Sequence, residues 1–286
     1  MERERDGARA RWSARYDHDG PTFAVPCYDS AAIGVIATGR CRATMSTRQA
    51  NDPIAAEVVR AIEEGALDRL RDLLAAHADL ATTRIVAANG AQRTLLHIAT
   101  DWPGHRAHVA ATIGLLIAAG ADVDGRFVGK HAETPLHWAA SCDDVVALDA
   151  LLDAGADIEA RGAVIGGGTA LDDAVAFAQW NAARRLVARG ARPSLWNASA
   201  LGLLAQVEVS FAGGAAPPAR EITHAFWCAC HGGQRITAEY LLESGADLNW
   251  VGHDQLTPLD AARRSNADDV VAWLLGRGAR SKDELR

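Results

Sequence analysis

Apolar residues along this chain recur at helical spacing in paired short blocks, and the same polar punctuation separates the blocks each time. Thr134-Pro135-Leu136-His137-Trp138-Ala139-Ala140 is followed by Leu151-Leu152 and closed by Gly155-Ala156, with 21 residues from the Thr to the first Gly. The same interval runs from Thr169 to Gly190, from His224 to Gly245 and from Thr257 to Gly278. From Thr94 to Gly120 it is five residues longer, which predicts a second helix about one turn longer there. Fainter copies open at Ala56 and Pro193. The pattern thus predicts seven units opening near residues 56, 94, 134, 169, 193, 224 and 257.

Each slot has a physical reason. Thr in extended conformation caps a helix by accepting from a backbone N–H one turn on, and Pro at the first helical position has no amide to waste. Small residues at the sixth and seventh places let neighbouring helices approach, the Leu pair supplies the apolar face of a second, antiparallel helix, and Gly ends it in the left-handed region. Neither helix of such a pair buries its apolar face alone. The units must therefore stack, giving a solenoid with one continuous core. Asn89-Gly90 and Asp124-Gly125 fall between units, where tight turns with positive φ are expected. The short step from Thr169 to Pro193 leaves almost no room for a hairpin and predicts a kink in the stack, and residues 215–221, with Pro217-Pro218, read as an irregular linker.

These motifs resemble the ankyrin repeat over roughly residues 52–283. The resemblance implies an all-α fold, an α-solenoid of about seven stacked helix pairs with short hairpin loops, that binds other proteins through its concave face and performs no catalysis. It also implies that His97 and His137, at the fourth place, hydrogen-bond the capping Thr and the preceding hairpin. Asp172 and Asp260 fill that place in two units, and Trp196 and Trp227, read as core, in two more.

Composition narrows the function. Net charge is −7, with 29 Lys plus Arg against 36 Asp plus Glu, which gives no support to a nucleic-acid footprint. No run of apolar residues is long enough to span a membrane, and five cysteines do not make a dense disulfide framework, so a cytoplasmic protein acting as a monomer is expected. Arg outnumbers Lys 27 to 2, suggesting GC-rich coding DNA and a bacterial source. Residues 1–44 carry seven Arg against six acidic residues and no sustained period. They read as a disordered or spurious extension, with translation starting at Met45 and the repeat array occupying residues 45–286.

Other chemistry is weaker in the sequence. Cys228-Ala229-Cys230-His231 contains zinc-ligand types without a second pair, and His105 and His108, placed three apart on a helical face near His97, form another candidate cluster. Either would make a metal-dependent or hydrolytic enzyme the alternative function. Gly166-Gly167-Gly168 lacks the Gly-Lys-Ser/Thr ending of a phosphate loop and reads as a hairpin leading to a helix cap. No metal or cofactor is expected. A regulatory or targeting subunit of a separate enzyme is a further alternative, differing only in the partner.

The resemblance implies where a partner would sit: on hairpin tips and the last turn of each first helix. Mapped onto this chain, those slots hold Asp101, Trp102, Phe177 and Arg264 at helix ends. They hold Arg126, Phe127, Lys130, His131 and Glu133 on the hairpin before the third unit, and Trp250, His253 and Asp254 before the last. Trp102, Phe177, Trp250 and Phe127 are expected to be anchors that the core does not need.

Overall fold

The computed structural model describes residues 46–212 and 216–285. The extension at residues 1–44, the start at Met45 and the closing pair Gly214-Ala215 lie outside the described residues. Thr47–Arg286 forms one compact unit. In it, seven helix pairs follow one another: α1 (Pro53–Glu64) with α2 (Leu67–Ala76), α3 (Leu95–Thr100) with α4 (Val109–Ala118), α5 (Pro135–Ser141) with α6 (Val145–Asp153), α7 (Ala170–Ala176) with α8 (Trp180–Ala188), α9 (Leu195–Leu201) with α10 (Leu204–Ala212), α11 (Ala219–His231) with α12 (Arg235–Glu243), and α13 (Pro258–Arg264) with α14 (Asp268–Gly276). No helix among the described residues is long and apolar enough to cross a membrane.

The caps explain the starts. Thr94, Thr134, Thr169 and Thr257 each form a reciprocal capping box with the residue three places on. Three openers differ from the sequence expectation. The first helix starts at Pro53, capped by Asp52, whose Oδ1 accepts from Ile54 and Ala55, so the opener is Asp52 rather than Ala56. The fifth opener is Ser194 rather than Pro193, which puts Asn197, not Trp196, at the fourth place. His224 lies inside α11, because Pro218 starts that helix at Ala219; the segment expected as a linker is helical from there. At the other end of each unit, Gly155 adopts φ 91° and, with Ala156, donates back to Leu152 and Leu151. The five extra residues after Thr94 do not lengthen α4. They form the loop from Asp101 to His108, tied to the next unit where the His105 N–H donates to Asp144 Oδ2 at 2.6 Å.

The fold is not wholly helical. β1 (Thr47–Gln49), β2 (Arg84–Val86) and β3 (Gln92–Thr94) form a sheet with β2 in the middle, parallel to β1 (Thr47 opposite Arg84) and antiparallel to β3 (Arg84 opposite Thr94). Three-residue strands are too short for alternation to announce them. The β2–β3 hairpin turns at Asn89-Gly90, with Gly90 at φ 83°, as expected. Gly125 has no positive φ; it is needed for room, since a Cβ there would lie 3.0 Å from Thr94 Cγ2.

A ladder of side chains joins consecutive units. His97 Nδ1 lies 2.8 Å from Thr94 Oγ1, and its Nε2 lies 3.2 Å from the Glu133 carbonyl just before the next opener. His137 repeats this with Thr134 and the Gly168 carbonyl. With Nδ1 accepting from the Thr94 and Thr134 N–H groups, Nε2 carries the proton and donates. The imidazole therefore serves the following hairpin, not the preceding one. In three units where the fourth place is not His a link is still made: Asp172 Oδ1 accepts from Asn197 Nδ2, Trp227 Nε1 donates to Leu256 O, and Asp260 Oδ2 accepts from the Lys282 N–H.

Small residues at the sixth and seventh places, such as Ala139-Ala140 and Ala261-Ala262, are wholly buried, and so are Leu148 and Leu151 between them. Each fully buried Leu contributes about 1.5–3 kcal/mol. The buried apolar residues form two clusters rather than the single core expected. Both draw on α9, α11 and α13: Ala200, Leu201, Trp227, Cys228 and Ala261 belong to the first, and Ala198, Phe226, Cys230 and Ala262 to the second. In the fifth unit α10 buries only Val207.

Candidate functional site

On the hairpin before α5, the Phe127 ring packs 5.4 Å from Trp138 and 6.2 Å from His97, and Trp138 stands edge-on to His97 at 4.9 Å. Phe127 is thus half-buried, packed between His97 of the second unit and Trp138 of the third. Glu133 is buried, and its carbonyl accepts from the Phe127 N–H at 2.7 Å. Burial raises its carboxyl to about 7, against a smaller lowering from a hydrogen bond with the Trp138 side chain. Arg126 Nη1 donates to Ala132 O at 3.1 Å and to Arg161 O, clasping two successive hairpins. Lys130 is exposed and His131 half-buried.

At the helix ends, Asp101 forms an ion pair with Arg93 at 2.6 Å and accepts from the Trp102 N–H at 2.9 Å. Trp102 is half-buried and joined to Pro103 by a cis peptide bond. Phe177, the residue after α7, is half-buried as well. Trp102 and the Phe127 ring group belong to one part of the stack, and Trp250 to another.

The remaining candidates come together. Trp250, His253, Asp254 and Arg264 meet in a continuous string of rings drawn from four units. Trp180 lies 5.3 Å from His231, His231 5.4 Å from Trp227, Trp227 5.3 Å from His253, and His253 4.9 Å from His224. Trp196 flanks His224 at 5.8 Å, and Trp250 flanks it at 6.3 Å. The Arg264 guanidinium sits 5.9 Å over the Trp227 ring and pairs with Asp254. Trp227 and His231 are buried, Trp180, Trp196 and Trp250 half-buried, and His253, Asp254 and Arg264 exposed. Trp250 also packs against the larger buried cluster, so it is not dispensable to the core as expected. Burial pushes the imidazoles of His224 and His231 down to about 4, reinforced for His231 by Arg264 and for His224 by His253. The imidazoles of His224 and His231 are therefore neutral at neutral pH, and the charge in the group is that of Arg264, paired with Asp254. Trp180 and His224 were missed as site residues in the sequence, and His231 entered there beside Cys228 and Cys230; stacking brings their rings together.

The alternative clusters do not assemble. His105 and His108 lie in left-handed conformations, φ 51° and 57°, on an exposed loop beside an open pocket of about 400 Å³, while His97 is buried with both ring nitrogens engaged. Cys228 and Cys230 are fully enclosed, and burial pushes both thiols upward, away from the thiolate a metal requires. Among the described residues no three His, Cys, Asp or Glu side chains converge to hold a metal ion.

No curated protein matches the chain in sequence. The ankyrin repeat domain of human ASB11, known from its crystal structure, is similar at 20% identity and a TM-score of 0.46 over 76% of this chain and 96% of that one. The family model for the ankyrin repeat matches residues 132–163, the stretch that holds α5 and α6. The chain thus carries an ankyrin repeat at residues 132–163, set in a file of helix pairs.

Proposed function

We propose that this chain recognises another protein through the side formed by its hairpins and first-helix ends, with the ring string from Trp180 to Trp250 as the anchor region, and that it carries out no catalysis. One observation supports this above the others: the half-buried rings of Trp180, Trp196 and Trp250 are bordered by exposed His253, Asp254 and Arg264. Aromatic area inside a polar rim is the composition of a binding hot spot. Asp101, Trp102, Arg126, Phe127, Lys130, His131, Glu133 and Phe177 belong to the same side in this reading as flanking and supporting positions. A cytoplasmic setting is part of the proposal, supported by the unpaired Cys142, Cys228 and Cys230.

The test is affinity capture with the full chain beside a Trp180→Ala, Trp250→Ala double variant whose helical content is checked by circular dichroism. A protein retained by the first and lost by the second is expected. Retention unchanged in a folded double variant would remove the ring string from the interface.

A further inference from the structure

His224 lies on α11 and His253 in the hairpin that precedes α13, and their Nε2 atoms are 2.9 Å apart. The ring centroids are 4.9 Å apart at 62°, so the two nitrogens are on the facing sides of their rings. Two Nε2 atoms at this distance must share something between them. With protons alone, one ring carries Nε2–H and the other accepts; two unprotonated nitrogens facing each other would repel.

From this close approach we infer that His224 and His253 form a two-imidazole site for a borderline divalent transition-metal ion such as Zn²⁺ or Ni²⁺. Neutral imidazole nitrogen is a preferred donor for such ions. Zn–N bonds of about 2.0–2.1 Å in tetrahedral geometry require the two nitrogens to stand about 3.3 Å apart. The pair thus has to open by about 0.4 Å, and His253, on an exposed turn, can supply that movement. The balance is simple: the ion takes the place of the shared proton, the donor ring moves that proton from Nε2 to Nδ1, and no net proton is released. Water completes the coordination, since no third protein ligand converges there.

The surroundings suit this role. Trp196, Trp227 and Trp250 wall the pair, limiting the solvent that competes for the ion. The charged groups that face it are Asp254, which favours a cation, Arg264, which is paired with Asp254, and Arg220 one turn before His224 on α11. The ion would clamp the last hairpin to α11. This inference does not rest on the partner-binding proposal, and its readout needs no partner.

The experiment is titration of the full-length chain with ZnCl₂ by calorimetry and with NiCl₂ by tryptophan emission, which a bound Ni²⁺ quenches at the Trp227 and Trp250 rings. One ion per chain is expected, weakened by about tenfold or more in H224Q and in H253Q and unchanged in an H105Q, H108Q double variant. Binding that survives H253Q, or that is lost only in the H105Q, H108Q chain, overturns the assignment, as does no binding by the unaltered chain. Should H224Q fail to fold, H253Q decides alone, because its side chain is exposed.

Discussion

The indole N–H of Trp227 donates to the carbonyl oxygen of Leu256 at 2.9 Å, the position relative to the next opener that His97 and His137 reach with imidazole. Trp227 is buried, and the Leu256 carbonyl also accepts from the Gly252 N–H at 2.9 Å, so removing the indole donor takes away one hydrogen bond without leaving the carbonyl unpaired. Trp227→Phe is expected to lower stability by about 0.5–1.5 kcal/mol, measured as a reduced urea midpoint. An unchanged midpoint would mean the bond adds nothing to the junction between α11 and the last unit.

Gly232 marks the closest approach of two first helices. Its φ of −80° suits any residue, yet a Cβ there would run into the Ala200 carbonyl at the end of α9. Gly232→Ala should therefore destabilise by about 1–3 kcal/mol or more through steric overlap of backbone, which has no rotamer to retreat to. Thermal unfolding compared with Gly120→Ala separates the causes. Gly120 has open space for a Cβ and only its φ of 97° to oppose one, so the smaller loss belongs there.

Glu133 makes one part of stability fall as pH rises. Its folded value, about 7, stands above the ordinary 4.5, so the folded state holds the proton more tightly, and that contribution is complete below 4.5 and gone once pH passes 7. Spread over that window, it amounts to about 3 kcal/mol. Glu133→Gln keeps the shape without the charge and is expected to be more stable than the parent at pH 8, with little difference at pH 4.5. Chemical denaturation at both values checks this.

Histidines act in the opposite direction. Burial holds His97 near 3 and His137 near 4, below the ordinary 6.5, so the unfolded chain takes up protons first. Stability present above pH 6.5 is lost as pH falls toward 4, by about 3 kcal/mol for each of the two. Denaturation midpoints should therefore drop steeply from pH 6.5 to 4, and His137→Asn should flatten that drop. A flat profile in the parent would contradict the neutral, hydrogen-bonded imidazoles.

Much of this fold was legible because helix capping is local. Thr94, Thr134, Thr169 and Thr257 announced their own helices, and the glycine 21 residues beyond most openers announced the ends. Where the guide was an inferred offset instead of a cap, it slipped: Asp52-Pro53 is a plain start signal that the slot at Ala56 overrode, and Ser194 was displaced by its neighbouring Pro193. The sheet at Thr47–Gln49, Arg84–Val86 and Gln92–Thr94 was not legible, since its pairing is made between distant short segments. The candidate site divides in the same way. His253, Asp254 and Arg264 could be placed from their slots, whereas the contact of Trp180 with His231 depends on units stacked side by side and on nothing local to either residue.

The rung that joins each unit to the next tolerates a change of chemistry. Imidazole at His97 and His137, carboxylate at Asp172 and Asp260, and indole at Trp227 all hold the neighbouring segment. What the architecture demands at this place is a polar atom at the right reach, so substitution can erode the written signature of a unit while its join persists. The joins at His137, Asp172 and Trp227 are therefore carried by reach and placement, not by any one residue type.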